Sequence, residues 1–222
     1  IHGLIASLLS SIVTGSSVVC TSGFNALTFY RNVKTFKPTW ITAVPTMYQA
    51  ILSRASRNKE IIQASSLRLL RSSSAAMPVA TIEALENAFQ CPVIEAYGMT
   101  EASHQMASNF LDINRKPGSV GKSAGPEIAL FRDNKLTTVA NSVGEIVIRG
   151  SNVTKGYKNN NKANKENFFD GWFKTGDLGK FDEDGFLFIS GTIKEIINKG
   201  GEKVSPQEVD EALMKHEDVF QA

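Results

Sequence analysis

The sequence is short of cysteine: Cys20 and Cys91 are the two in 222 residues. Two thiols build neither a disulfide framework nor the ligand set of a structural metal site. Both stand in apolar, strand-like contexts, so both are expected as core thiols of a protein in a reducing compartment. An excess of one charge is lacking as well, since 24 Lys and Arg meet 22 Asp and Glu for a formal net charge of +2. No strong field steers such a chain toward nucleic acid or a membrane surface, and scattered cations read as a solvated face. No apolar run reaches the ~18 residues that a bilayer-crossing helix needs. Residues 3–13 are apolar but interrupted by serines, without the basic flank and cleavage site of a signal peptide. They are expected as a buried helix. Repeats and low-complexity tracts are also absent, and Asn159-Asn160-Asn161 reads as a loop.

What is present is an ordinary globular balance, 42% hydrophobic and 21% charged. A chain of this length can bury roughly 70–75% of its unfolded surface. Residues 2–14 read as a helix closed by Gly15, and Ser17 to Cys20 as a short strand. Asn25 is placed to cap a helix running to about Lys34, with Leu27, Tyr30 (or Phe29) and Val33 on its apolar face. Thr39 to Val44 is the next strand, and Pro45 opens a helix at its first turn. Leu67 to Leu70 reads as a strand, Pro78 to Phe89 as a helix and Val93 to Ala96 as a strand. Strands alternating with helices imply right-handed βαβ units and a parallel sheet. After residue 118 the pattern changes. Glu127–Phe131 and Gly144–Arg149 alternate polar and apolar residues with turn signals between them and no long helix. Asp182-Glu183-Asp184-Gly185 joins Leu178–Phe181 to Phe186–Ile189 as a hairpin. Ser205 is expected to cap a last helix, 206–215, whose apolar face carries Val209, Ala212 and Leu213.

Two stretches carry chemistry. The first is Glu95-Ala96-Tyr97-Gly98-Met99-Thr100-Glu101-Ala102-Ser103-His104. Gly98 breaks the apolar run of Pro92 to Ile94, as where a strand ends in a tight turn. Thr100 and Glu101 then offer a hydroxyl and a carboxylate at the end of a parallel strand, where open α/β sheets bind ligands. The second begins at Gly171-Trp172-Phe173-Lys174-Thr175-Gly176-Asp177-Leu178-Gly179. It continues through Asp182 to Phe186, Gly191-Thr192-Ile193-Lys194-Glu195 and Gly200-Gly201-Glu202-Lys203. In this order the runs resemble the adenylate-forming superfamily of acyl-CoA synthetases, coumarate-CoA ligases, luciferases and peptide-synthetase adenylation domains. The oxalate-CoA ligase branch is the one most resembled, through Thr42 to Thr46, Arg71 to Ala75, Ala102 to Asn109 and Asn152 to Asn160.

That resemblance implies an ATP-dependent, AMP-forming acid–CoA ligase using ATP, Mg2+ and CoA, with oxalate as the acid. It also implies an α/β fold in three parts: a parallel sheet (1–118) and a small distorted β-barrel (119–190), together part of the large domain 1–190, then a hinge and the start of a small α+β domain (191–222). Nucleotide contacts fall on Ser74, Ala75, Ala76, Glu95, Tyr97, Gly98, Thr100 and Asp177. Thr100 suits the phosphates, and Glu101 is a hard oxygen ligand for Mg2+, which takes only one or two protein carboxylates beside phosphates. Tyr97 would pack on the adenine. Asp177 has two acceptor oxygens for vicinal ribose hydroxyls. Gly191 stands at the hinge, and Gly200 and Gly201 along the CoA tunnel. Ser74 and His104 are the substrate residues, because a second carboxylate is costly to bury without a partner.

The chain departs from the family pattern in places. The phosphate loop and its lysine, an aromatic-histidine pair and the C-terminal catalytic lysine are expected outside residues 1–222, so the chain reads as an internal fragment that forms no acyl-CoA alone. Thr192 stands where relatives carry an arginine, which threonine cannot replace as a hydrogen-bonding fork. Alternative readings are a medium- or long-chain or coumarate-type ligase, or a non-catalytic nucleotide-binding relative. A cytoplasmic or peroxisomal location fits either, because peroxisomal tripeptides sit at a C-terminus.

Overall fold

The computed structural model describes residues 1–111, 114–195, 197–199, 202–214, 216 and 219. The chain forms two compact units, Ile1–Gly118 and Ser119–Ala222.

The first unit is built on parallel strands separated by helices. A π-helical segment, His2–Leu9, runs into α1 (Ser10–Val13), and α2 (Ala26–Phe36) follows. Asn25 caps α2 by accepting the Leu27 amide on its side chain, as its position predicts. Then come β1 (Trp40–Ala43), α3 (Pro45–Leu52), a short α4 (Lys59–Gln63) and β2 (Leu69–Ser72). Helix α5 (Val79–Phe89) leads to β3 (Val93–Met99), and a 3-10 turn, Thr100–Ala102, to β4 (His104–Ser108). Strands β1, β2 and β3 are parallel neighbours, with Thr42 opposite Arg71 and Arg71 opposite Ile94. Strand β4 returns antiparallel along β3, and β1 stands at the sheet's edge. Tyr48, Ile51, Leu70, Ile82 and Leu85 are the buried centre, where the Tyr48 hydroxyl donates to the carbonyls of Ile41 and Arg71.

Several expectations for this unit are corrected. The apolar N-terminal helix is largely exposed, with Val13 at 77%. Ser17 to Cys20 forms no strand, because it meets no ladder partner among the described residues, and Cys20 is exposed while Cys91 is buried. Leu27 points outward at 76% exposure, and α2 buries Tyr30 and Val33 instead. β2 lies two residues later than its apolar run suggests, because pairing to β1 and β3 sets its limits. Gly98 does not end β3. The strand runs on to Met99 through a bulge at Tyr97/Gly98.

The second unit opens with a two-residue strand, β5 (Lys122–Ser123). Then β6 (Glu127–Arg132), β7 (Lys135–Thr137), β8 (Gly144–Arg149), β9 (Phe168–Phe169), β10 (Trp172–Phe181) and β11 (Leu187–Thr192) follow. They pair antiparallel in the order β7-β6-β8-β10-β11, with β9 on β10. This antiparallel sheet, with β7 and β11 at the ends of its ladder order, occupies the part of the chain for which resemblance implies a small distorted barrel. Ile146, Val147 and Ile148 are all fully buried, so β8 is covered on both faces and its alternation fails there. The loop at Asn159 and Asn160 leads into a seven-residue helix the sequence reading did not expect, α6 (Asn161–Asn167), with Asn160 accepting the Ala163 amide as its cap. A small hairpin, β12 (Ile197–Lys199) with β13 (Glu202–Val204), precedes α7 (Pro206–Leu213). Val209 and Leu213 are exposed in this unit rather than buried.

Candidate active site

The carboxyl ends of parallel strands are where an α/β sheet leaves backbone and side chains free for a ligand. In the first unit Thr42 is the penultimate residue of β1, Arg71 and Ser72 end β2 with Ser73 and Ser74 following, and Thr100 and Glu101 follow β3. Ser74, Ala75 and Ala76 are exposed, and Ser74 is held at φ 80°. Tyr97 is buried on β3, while Thr100 is exposed and Glu101 half-buried.

Ser74 and His104, read from the sequence as substrate residues, are joined by two residues that sequence reasoning passed over. The Ser74 hydroxyl is 3.1 Å from His2 Nδ1, and His2 Nε2 is 2.5 Å from the Thr42 hydroxyl. The rings of His2 and His104 stack at 5.8 Å. Between them lies Arg71, only 8% exposed. Its guanidinium donates to the Thr42 hydroxyl at 3.2 Å, to His104 Nε2 at 3.2 Å and to Gln105 Oε1 at 3.2 Å, and it approaches His2 Nε2 at 3.4 Å. A signal for Arg71 was available: it is a cation directly after the apolar pair Leu69-Leu70 inside a sheet strand. His2 gave none, because nothing in a sequence shows that residue 2 returns to residues 42, 71 and 74.

Electrostatics follow from this packing. Burial, then the neighbouring Arg71 and His2, push the His104 imidazole down to about 4, so it is neutral at physiological pH. His2 is lowered by burial and then by Arg71. An arginine only donates, so His104 Nε2 accepts from Arg71 and the proton sits on Nδ1. That Nδ1 is buried without a partner among the described residues, as are the hydroxyls of Ser72 and Ser73. Buried polar atoms are ordinarily satisfied, and a cluster that is not marks a place where a ligand or water belongs.

Glu95 lies on the same strand as Tyr97, but its carboxylate turns into the unit. It accepts the Gly118 amide at 2.8 Å and a hydrogen bond from the Met77 amide. Burial pushes it up to about 7, with those amides pulling the other way.

In the second unit Asp177 stands opposite Thr192 across β10 and β11, and the Thr192 hydroxyl donates to Asp177 Oδ1 at 3.1 Å. Beside it, Glu145 accepts the Gly176 amide at 3.2 Å. Gly191 lies inside β11 at φ 130°, opposite Leu178 at the bulge of the β10–β11 ladder. A Cβ there would lie 2.8 Å from the Ser205 hydroxyl. Gly200 and Gly201, assigned to a CoA tunnel by resemblance, lie outside the described residues. No cluster of three or more metal-ligating side chains occurs among the described residues.

Residues 1–158 match the AMP-binding enzyme family. Over its whole length the chain is 50% identical to the oxalate–CoA ligase of Arabidopsis thaliana and 45% identical to that of Saccharomyces cerevisiae, spanning 44% and 41% of those proteins. The chain therefore spans less than half the length of these relatives. Among solved structures, O-succinylbenzoate coenzyme A synthetase from Bacillus subtilis with ATP and magnesium superposes at a TM-score of 0.84 and 32% identity, over 98% of this chain and 45% of that one. ATP-bound MatB from Rhodopseudomonas palustris superposes at 0.87 and 31%, over 97% of this chain and 42% of that one.

Proposed function

The chain belongs to the AMP-binding enzyme family, and from that premise we propose that it carries the acid- and nucleotide-binding part of an ATP-dependent, AMP-forming acid–CoA ligase whose acid is oxalate. In the first half-reaction a carboxylate oxygen of the acid attacks the α-phosphorus of ATP, and pyrophosphate leaves. In the second the CoA thiol attacks the acyl carbon and AMP leaves. Protein groups contribute mostly by positioning and by stabilising charge. Thr100 serves the phosphates and Glu101 holds Mg2+. Tyr97 and the backbone at Ser74–Ala76 flank the adenine. Asp177 takes the ribose hydroxyls, for which the Thr192 hydroxyl competes. Gly191 is the hinge.

The observation that carries the choice of acid is the polar, buried constellation joining Ser74 to His104 through His2 and Arg71. A fatty or coumaric acid would bring hydrocarbon against this polar lining and leave it unsatisfied. The similarity to two oxalate–CoA ligases supports the same reading. In the full-length protein, oxalate should drive AMP and pyrophosphate release far above hexanoate, palmitate or coumarate. His104→Ala should lower kcat/KM for oxalate roughly 10²-fold, the scale of losing a partner to a buried charge. The KM for ATP should stay as it was. Turnover of coumarate or palmitate equal to that of oxalate would refute the oxalate assignment.

A further inference from the structure

Arg71 poses an electrostatic question that its own unit leaves unanswered. A buried guanidinium is costly unless it is paired. Each of its hydrogen-bond partners, Thr42, His2, His104 and Gln105, is uncharged at neutral pH. No described carboxylate forms an ion pair with it; the ion pairs of this unit include Arg115 with Glu86, well apart in sequence from β2. The two imidazoles that surround it do not relieve the imbalance, for neither can supply a negative charge. The cluster therefore holds one full positive charge, two bases whose charged forms are disfavoured by burial and then by that charge, and no anion among the described residues. It is also open at one end. Ser74 is exposed at its mouth, while Arg71 and His104 lie buried behind.

We propose that Arg71 is a specificity-determining residue whose guanidinium, fixed by Thr42, His104 and Gln105, receives the non-reacting carboxylate of a small dianionic acid. This rests on the acid–CoA ligase reading above and goes beyond it, for it assigns the charge-pairing role to a residue other than Ser74 or His104. Arginine suits the task because, of its five N–H donors, Thr42, His104 and Gln105 take three and leave others for a carboxylate, and because it is never deprotonated at working pH. His104 and Gln105 hold the fork by accepting from it. The neutral His104 presents its remaining N–H as a further donor. A monoanionic acid of the same size brings no second charge and leaves Arg71 as it stands, so the preference is for two carboxylates close together.

The test uses the full-length protein and measures kcat and KM for oxalate, for malonate, for the monoanion acetate and for ATP. Arg71→Met should raise the KM for the preferred dianion at least about 10²-fold. The acetate parameters and the KM for ATP should move less than about threefold, so the ratio of dianion to monoanion efficiency collapses. A merely structural arginine would lower all of these together. If Arg71→Met does not fold, Arg71→Lys, which keeps the charge and loses the fork, should raise the dianion KM about 10-fold, and an unchanged value overturns the proposal. Loss of the dianion preference in a protein that favours malonate supports Arg71 while removing oxalate as the acid. Undiminished oxalate efficiency in a folded Arg71→Met leaves oxalate in place and overturns Arg71. Wild-type protein that activates acetate and rejects both dianions overturns both.

Discussion

Glu95 is a buried carboxylate in the middle of β3, and its chemistry has a pH signature opposite to that of His104. Burial raises its folded value to about 7, above the ordinary carboxylate range near 4.5. A group raised on folding contributes stability that is fully present below its unfolded value and is lost as pH rises through its folded value. The first unit should therefore lose on the order of a few kcal/mol between pH 4.5 and about 7 on account of Glu95. His104 is lowered to about 4, so its contribution is present above 6.5 and lost as pH falls toward 4. Comparing variants separates the two. Glu95→Gln should remove the loss toward neutral pH while keeping an acceptor for the Gly118 amide. Denaturant unfolding of both proteins at pH 5 and pH 8 checks this, and an identical pH slope in the two would count against it. Glu95 also shows what a sequence leaves out. Resemblance assigns Glu95 a nucleotide contact, and the structure adds what the sequence does not show, that its carboxylate accepts the backbone amides of residues 77 and 118. Which way a side chain leaves a fully buried strand depends on loops that local patterning does not describe. Ser74 and His104 stand out in the sequence by their polarity within an otherwise family-like run, and the structure links them through His2 and Arg71.

Elements were legible wherever a local signal and the tertiary partner agree. Asn25 and Pro45 each start a helix where expected, because a cap and a fixed φ act locally. Segments that depend on a partner were less legible. Residues 17–20 have strand composition without a ladder, and β2 slides two residues to match its neighbours. Helix α6 hid inside a run of asparagines, although the first of its signals, a capping side chain at Asn160, was there to be used. Helix α7 makes the converse point. Ser205 has the residue type and position of a cap, but its hydroxyl makes no capping bond and is buried without a partner among the described residues. A working serine cap contributes about 1 kcal/mol. Ser205→Ala should therefore cost nothing or stabilise the second unit slightly, since it removes an unsatisfied hydroxyl. Gly191→Ala should destabilise it by about 1–3 kcal/mol through backbone strain and the approach to the same hydroxyl. Ser205→Gly should recover part of that loss. Urea denaturation of the four proteins measures both effects, and a Ser205→Ala loss near the full cap value would restore the conventional role.

At the scale of the whole molecule, the order of motifs along the chain revealed the α/β part, the antiparallel sheet after it and the family. It could not reveal the convergence of residues 2, 42, 71, 74 and 104, which depends on three strand ends meeting one helix start. Another feature is visible only at this scale. Leu4, Leu9, Ile12 and Val13 of the N-terminal helical segment are all exposed, as are Val19 and Phe24 shortly after it. Apolar surface of this kind favours association. The isolated chain should sediment as a mixture of species at micromolar concentration, shifting toward monomer on dilution or in an Ile12→Lys, Val13→Lys variant. A single monomeric boundary across that range would exclude this.

Strand β1 has a bearing on how the isolated polypeptide behaves in the hand. One side of Trp40–Ala43 is bonded to β2, and no strand among the described residues pairs with the other. The amides and carbonyls on that side form a ready template for a strand from another molecule, and β1 carries no lysine or proline to discourage such growth. Refolding from denaturant is the step at which many such edges meet at once. Dilute, cold refolding should give a clear solution, and concentrated refolding should give a precipitate with the 4.7 Å spacing of stacked strands.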